Sequence, residues 1–101
     1  MGLAELYAFY RRTEPMLDNL FRDEAALPLV EEHFAVFRGY LTAARDTLMA
    51  GRSLRGRARR RTQAAVGHAV AFSTWKSLVR DEGLTDADAV ALIRALVAAA
   101  S

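Results

Sequence analysis

The stretch that decides the fold class is PLVEEHFAVFRGYLTAARDTLMAG, Pro28 to Gly51. Its apolar residues return at steps of three and four, the spacing that places side chains on one face of an α-helix. Proline is tolerated in the first turn of a helix, and glycine commonly follows the last turn. The stretch therefore predicts one helix with a continuous apolar seam. That seam consists of Val30, Phe34, Phe37, Leu41, Ala44 and Leu48.

The N-terminal segment predicts a helix with an interruption. Leu3–Arg12 carries apolar residues at helical spacing, and Thr13 is a suitable cap for a new start. Pro15 fits the first turn of that restarted helix, because its missing N–H would have no partner there. The pattern leaves open a kink or a true break, and the second segment is expected to run to about Glu24.

Two further helices are predicted in the second half of the chain. One extends from about Arg57 to Glu82 and is ended by Gly83. The other begins after Thr85, a good N-cap, and runs through the alanine-rich stretch to Ala100. Since alternation of period two is missing, we expect an all-α single domain of about five helices over residues 1–101.

Composition limits the class of protein. The chain has 101 residues, 52% of them apolar, which suits one folded domain with its own core. Cysteine is absent, so disulfides and thiolate metal sites are excluded, and a reducing, cytoplasmic location fits. No apolar run approaches the ~20 residues of a membrane span, and the N-terminus does not resemble a signal peptide. We therefore expect no membrane partner.

Positive charge is concentrated in GRSLRGRARRRTQ, Gly51 to Gln63, which holds six arginines between Arg52 and Arg61. The other eight basic residues stand against 12 acids, so the rest of the chain is net acidic. A bare arginine cluster attracts phosphates without reading a sequence. We interpret the stretch as a solvated junction between two helices. The alternatives are a patch that assists attraction of DNA or of an anionic ligand, and a nucleic-acid-binding function.

Drawn as one helix at about 100° per residue, residues 57–82 carry two apolar faces. A helix that is apolar on two sides is buried on two sides, and a chain this short has few helices to cover both. The pattern predicts a two-fold dimer in which the last two helices of each subunit form a four-helix bundle. The alternative is a monomer that wraps the helix completely.

The two faces receive different assignments. The bulky stripe contains His68, Phe72, Trp75 and Val79. The smaller, opposite row supplies the predicted dimer interface together with the last helix: Val66, Val70, Ser73, Ser77, Val90, Ile93 and Val97. Which face of residues 64–82 meets the partner is left open.

The aromatic residues predict an apolar pocket with a few polar groups, the usual composition of a small-molecule site. The candidate ligand-binding residues are Tyr10, Phe37, Tyr40, His68, Phe72 and Trp75. Ordinary core packing is the alternative for each ring. For His68 the alternative is a hydrogen-bonded core side chain.

Catalytic and metal-binding patterns are missing from the sequence. The two histidines, His33 and His68, show no metal-ligand spacing, and no phosphate-binding glycine loop is present. Adjacent acids such as Glu31 and Glu32 diverge on a helix. We expect no enzyme, no catalytic residue, no metal site and no cofactor.

The segment RRRTQAAVGHAVAFSTWKSLVRDEGLTDADAVALIRALV, Arg59 to Val97, resembles the C-terminal part of TetR/AcrR-type transcriptional regulators. Three features of this segment carry the resemblance. They are a helix rich in alanine and valine that contains the sequence Phe-Ser-Thr-Trp, a Gly-Leu pair that ends it, and a Thr-Asp pair that begins the next helix. LYAFYRRTEPML, Leu6 to Leu17, is similar to a helix and restart common in that family.

The resemblance implies a function. In this family the last two helices form a homodimer, and earlier helices enclose a pocket for a small effector. The chain would then be the effector-binding and dimerisation domain of a bacterial regulator, taking a small, mostly apolar molecule. DNA would be bound only by an N-terminal helix-turn-helix domain, which residues 1–101 are expected to lack. The alternative is a structural or protein-interaction bundle with no ligand.

Overall fold

The computed structural model describes the backbone of residues 2–22 and 28–100 and the side chains of residues 2–22 and 35–100. Within these ranges the chain forms five α-helices and no strand. They are α1 (Leu3–Arg22), α2 (Pro28–Met49), α3 (Gly56–Ala69), α4 (Phe72–Lys76) and α5 (Asp86–Ala99). The prediction of an all-α single domain is confirmed. Of the predicted seam, the side chains of Val30 and Phe34 lie outside the described residues, as does that of His33.

The first helix is continuous through its proline. Pro15 lies in the interior of α1 on the exposed side, so of the two alternatives at Thr13 a true break is wrong. The hydroxyl of Thr13 donates to the carbonyl oxygen of Phe9 at 2.7 Å, one turn earlier, and so adds a bond in the turn that approaches the proline. The exposed position lets the helix accommodate the proline ring without disturbing the buried side.

The predicted helix from Arg57 to Glu82 is also wrong, because it is divided after Ala69. Ala71 is extended, with φ −69° and ψ 138°. Two buried tyrosines of α1 supply the reason: the hydroxyl of Tyr7 donates to the carbonyl oxygen of Ala69 at 2.7 Å, and that of Tyr10 donates to the carbonyl oxygen of Val70. Carbonyl groups that end a helix thus find donors on another helix.

The segment between α4 and α5 follows local signals in the sequence. The α4 helix continues as a π-helical turn, Ser77–Asp81, and Gly83 follows at φ 75°. The N–H of Leu84 donates to the carbonyl oxygen of Leu78 at 3.0 Å, as in a glycine-ended helix. The hydroxyl of Thr85 then accepts from the N–H of Asp88, which confirms the predicted N-cap of α5.

The core lies where α1, α3, α4 and α5 meet. Trp75 at its centre is fully buried, and α1 contributes Leu3, Leu6, Tyr7 and Tyr10 on one face. The α2 helix packs against α1 and α3 and adds Phe37 and Ala44. None of the described helices is both long and apolar enough to cross a membrane.

Candidate functional site

An open apolar groove lies between the second half of α1, the middle of α2 and the start of α4. Its volume is about 610 Å³. This falls within the roughly 300–1,000 Å³ of typical ligand pockets. The lining residues are Asp18, Phe21, Phe37, Arg38, Leu41, Ala71, Phe72, Ser73 and Lys76.

Three phenylalanines form the wall of the groove. The rings of Phe21 and Phe72 are stacked, with centroids 5.7 Å apart, and Phe21 meets Phe37 edge to face at 5.8 Å. Phe37 and Phe72 are almost completely buried, whereas Phe21 keeps 42% of its surface exposed. The aromatic surface that the wall presents to solvent is therefore mainly that of Phe21.

The charges at the α1–α4 rim of the groove neutralise each other. Lys76 donates to Asp18 with an Nζ–Oδ1 distance of 2.5 Å, and its Nζ lies 5.9 Å from the centroid of Phe72. This pair joins α1 to α4 beside the aromatic wall. The rim therefore carries little net charge.

The groove continues along α2 towards α3. A second compartment of about 260 Å³ shares Arg38, Leu41 and Ala71 with the aromatic one and adds Arg45. A third compartment of about 490 Å³ shares Arg45 and extends to the end of α2 at Met49. One elongated depression thus begins at phenylalanines, becomes cationic at Arg38 and Arg45, and has Asp46 in its far compartment.

Two of the predicted ligand-binding residues, Phe37 and Phe72, line the groove. Tyr10 and Trp75 do not line it, because both side chains are fully buried behind it. Burial raises the pKa of Tyr10 far above its ordinary value, and the charge of nearby Tyr7 adds to this. The neutral Tyr10 hydroxyl is committed to the carbonyl oxygen of Val70, so it is not available to orient a ligand.

Tyr40 and His68 lie away from the aromatic compartment. Tyr40 is 39% exposed and borders a small cleft of about 110 Å³ with Phe9. His68 is exposed near the end of α3, so the interpretation as a core histidine is wrong. Its Nδ1 lies 3.3 Å from Oγ1 of Thr74, whose hydroxyl donates to the His68 carbonyl oxygen at 2.6 Å.

The residues predicted for the dimer interface divide into two groups. Five lie in the core of the single chain: Val66, Val70, Val90, Ile93 and Val97. Only Ser73 and Ser77 are exposed, and Ser73 belongs to the groove. The break after Ala69 removes the geometric basis of the two-faced helix, because residues before and after it no longer share one axis.

An exposed apolar surface is present on α5 instead. Leu92 and Leu96 are 41% and 53% exposed, one turn apart on the side of α5 that faces away from the core. Ala95 and Ala99 accompany them at helical spacing and are also exposed. The surface is thus available to a second macromolecule without rearrangement of the core.

The arginine side chains of the arginine-rich stretch form one hydrogen bond within the described part of the chain. Nε of Arg52 donates to the carbonyl oxygen of Leu48 at 2.8 Å and so helps to end α2. The other five arginines are exposed and form no ion pair with a described residue: Arg55, Arg57, Arg59, Arg60 and Arg61. Gly56, with φ 59°, lets the chain turn into α3 between them.

Sequence reasoning missed the residues that give the groove its charge and its exposed ring: Asp18, Phe21, Arg38 and Lys76. Phe21 follows Leu17 and Leu20 at helical spacing, which is typical of an apolar helix face. Arg38 follows Phe37 directly, and no periodicity distinguishes it from other exposed arginines. Only the packing of three helices brings these side chains together.

The described residues contain no group of three or more metal-ligating side chains. The aromatic compartment of the groove has one hydroxyl, that of Ser73, and no described histidine or carboxylate is hydrogen-bonded to it. The arrangement is therefore suited to noncovalent binding of an apolar molecule.

Comparison with protein-family models, with curated proteins and with solved structures finds no match to this chain.

Proposed function

We propose that this chain is an effector-binding domain and that a small, mostly apolar molecule occupies the groove between α1, α2 and α4. The observation that carries the proposal is the aromatic wall of Phe21, Phe37 and Phe72 around a groove of about 610 Å³. Exposed aromatic surface costs free energy in water, and a ligand that covers it recovers that cost. The proposal therefore explains why a small domain leaves such surface open.

The resemblance to TetR/AcrR regulators supplies the biological setting of the proposal. A bound effector would change the relative pose of two subunits and so the spacing of DNA-reading domains attached to them. The groove adjoins α4, which leads through the π-helical turn and Gly83 into α5. A ligand that binds one pose more tightly would shift the population towards it.

The homodimer is part of the same proposal, and the exposed side chains direct it to the outer side of α5. Leu92 and Leu96 form an apolar ridge there, flanked by alanines that allow close approach of a second helix. Leu92→Glu with Leu96→Glu is expected to convert a dimer to a monomer, measured by light scattering after size-exclusion chromatography. A wild-type chain that is itself monomeric would contradict the dimer.

The ligand is tested with a neutral apolar dye, N-phenyl-1-naphthylamine, so that charge does not contribute. Phe21→Ala removes the exposed ring of the wall and is expected to weaken dye binding about fivefold. Phe9→Ala is the matched control, since Phe9 lies outside the groove beside Tyr40. Equal effects of the two substitutions, or no dye binding by the wild type, would contradict the proposed site.

A second candidate function is a protein-interaction bundle without a small ligand. It is favoured by exposed apolar side chains outside the groove, namely Val36 on α2 and the Leu92–Leu96 ridge. Native mass spectrometry of the freshly purified chain separates the two functions. A small mass that dissociates on denaturation supports the effector domain, whereas a chain without bound ligand that also fails to bind the dye supports the bundle.

A further inference from the structure

The groove changes from apolar to cationic along its length. Arg38 borders both the aromatic compartment and the compartment beside it, and Arg45 lines the latter. The two arginines are seven residues apart on α2, so they lie on one helix face about 10 Å apart along the axis. A molecule that extends from the phenylalanines towards α3 therefore meets two guanidinium groups in succession.

Neither guanidinium is neutralised by a described neighbour. The side chains of Arg38 and Arg45 form no hydrogen bond or ion pair with another described residue, whereas Lys76 at the opposite rim is paired with Asp18. The wall formed by α3 and α4 adds no acid, because the sequence contains none between Asp46 and Asp81. The compartment that both arginines line contains no described acid, whereas the next compartment along α2 contains Asp46 beside Arg45. Unpaired positive charge is thus concentrated in the compartment next to the phenylalanines.

Gly67 places Arg45 against α3. A Cβ atom at position 67 would overlap the guanidinium of Arg45, so the bare backbone of α3 provides the space that this side chain occupies. Gly67 also lines the same compartment. A glycine inside a helix costs about 1 kcal/mol relative to alanine. Here the glycine allows a cation to lie across the floor of the groove.

We infer that the ligand of this groove is an amphiphilic carboxylate, with its apolar body against Phe21, Phe37 and Phe72 and its carboxylate between Arg38 and Arg45. The inference rests on the proposed function and adds the charge and the orientation of the ligand. A carboxylate accepts paired hydrogen bonds from a guanidinium, which gives both strength and direction. Two guanidinium groups beside an apolar compartment select an acid over the corresponding alcohol.

Isothermal titration calorimetry with octanoate and with 1-octanol tests the inference, because the two probes share a chain and differ in head group. We expect the wild type to bind octanoate about threefold to tenfold more tightly than 1-octanol, since partly exposed charge pairs contribute modestly. This preference should fall as salt rises. Equal affinity for both probes would overturn the inference and leave the proposed function standing.

Substitutions assign the preference to the two arginines. Arg38→Gln and Arg45→Gln are expected to remove most of the preference for octanoate and to leave 1-octanol unaffected. Arg94→Gln is the matched control, because Arg94 is an exposed arginine on α5 that does not line the groove. A loss of octanoate binding as large in Arg94→Gln as in Arg38→Gln would mean that net charge alone is responsible, and would overturn the assignment.

Gly67→Ala provides a test that keeps every charge. The added methyl group displaces the guanidinium of Arg45, and we expect octanoate affinity to fall while 1-octanol affinity and the circular dichroism spectrum stay the same. Unchanged octanoate affinity would contradict a role for Arg45 at its observed position. If neither octanoate, 1-octanol nor the neutral dye binds the wild type, the groove is not a ligand site, and both the inference and the proposed function fail.

Discussion

The α4 helix is bordered by two different environments. On the side that faces α1 and α5, the ring of Trp75 is enclosed by paired charges. Its Nε1 donates to Oδ1 of Asp86 at 3.0 Å, and the same carboxylate accepts two hydrogen bonds of 2.9 Å from Arg11. The guanidinium groups of Arg11 and Arg80 lie 5.9 and 5.5 Å from the indole centroid, and Arg80 pairs with Glu14.

On the side that faces α2, the ring of Phe72 borders a groove that is open to solvent. The nearest wall includes the half-exposed Phe21. Beyond it, Arg38 and Arg45 form no ion pair with a described residue. One helix of five residues therefore separates a region in which the charges are paired from a groove in which Lys76 is paired with Asp18 but these two arginines form no ion pair with a described residue.

The difference indicates a division of roles within one small domain. The side of α4 with the paired charges fixes its position between α1 and α5. The side that faces α2, here called the open side, leaves surface for a ligand. Binding regions are commonly drawn from the less stable parts of a protein, because a ligand must be admitted there. We therefore expect substitutions on the two sides of α4 to affect stability and ligand binding separately.

The largest expected effect is that of Trp75→Ala. Removing a fully buried tryptophan is expected to destabilise the fold by about 3–5 kcal/mol, through lost burial and the cavity left behind. Phe21→Ala is the comparison on the open side and is expected to cost about 1–2 kcal/mol, because that ring is already partly exposed. Urea denaturation followed by circular dichroism measures both. Similar costs at the two positions would remove the distinction between the sides.

A smaller effect is expected from pH. Hydrogen bonds from Arg11 lower the pKa of Asp86, with a further lowering by Trp75, while burial opposes the shift. Because the pKa is lower in the folded state, this carboxylate adds stability that is fully present above its unfolded pKa of about 3.9. That stability is lost as pH falls through the folded pKa.

Asp86→Asn should therefore reduce stability at neutral pH and make it less dependent on pH in the acid range, measured by urea midpoints between pH 3 and 7. Asp88→Asn is the control, since Asp88 occupies the same first turn of α5 and forms no ion pair with a described residue. Parallel pH profiles for Asp86→Asn and the wild type would show that the pairing around Trp75 contributes nothing to stability.

Parts of the fold that depend on local chemistry were predictable from the sequence. Thr85 as an N-cap and Gly83 as a helix stop are local signals, and both are found in the structure. The break after Ala69 was not predictable in this way. It depends on hydroxyl groups of Tyr7 and Tyr10, which lie about sixty residues earlier and satisfy the carbonyl groups at the break.

The candidate site shows the same limit. Periodicity identified Phe37 and Phe72 as apolar residues on facing helices, and both line the groove. It could not distinguish them from Trp75, which has the same spacing and lies behind the groove in the core. The orientation of a helix about its own axis decides which ring is exposed to a ligand, and that orientation follows from packing.

The smallest expected effect comes from Thr62 on α3, which is fully buried. Its Oγ1 has no hydrogen-bond partner in the described part of the chain. A buried hydroxyl without a partner loses its hydrogen bonds to water and gains nothing in return. Thr62→Val keeps the shape of the side chain and removes the hydroxyl, so we expect it to stabilise the fold by about 1 kcal/mol.

Thr74 on α4 provides the comparison for Thr62, because it is a buried threonine whose hydroxyl does have a hydrogen-bond partner. Its hydroxyl donates to the carbonyl oxygen of His68 at 2.6 Å. Thr74→Val would leave that carbonyl without this donor, and we expect a loss of about 1–2 kcal/mol. Because the two substitutions are chemically identical, we attribute opposite signs in urea denaturation to the different hydrogen bonding of the two hydroxyls. A gain at both positions would show that the polar contact beside the α3–α4 break does not contribute to holding α4 in place.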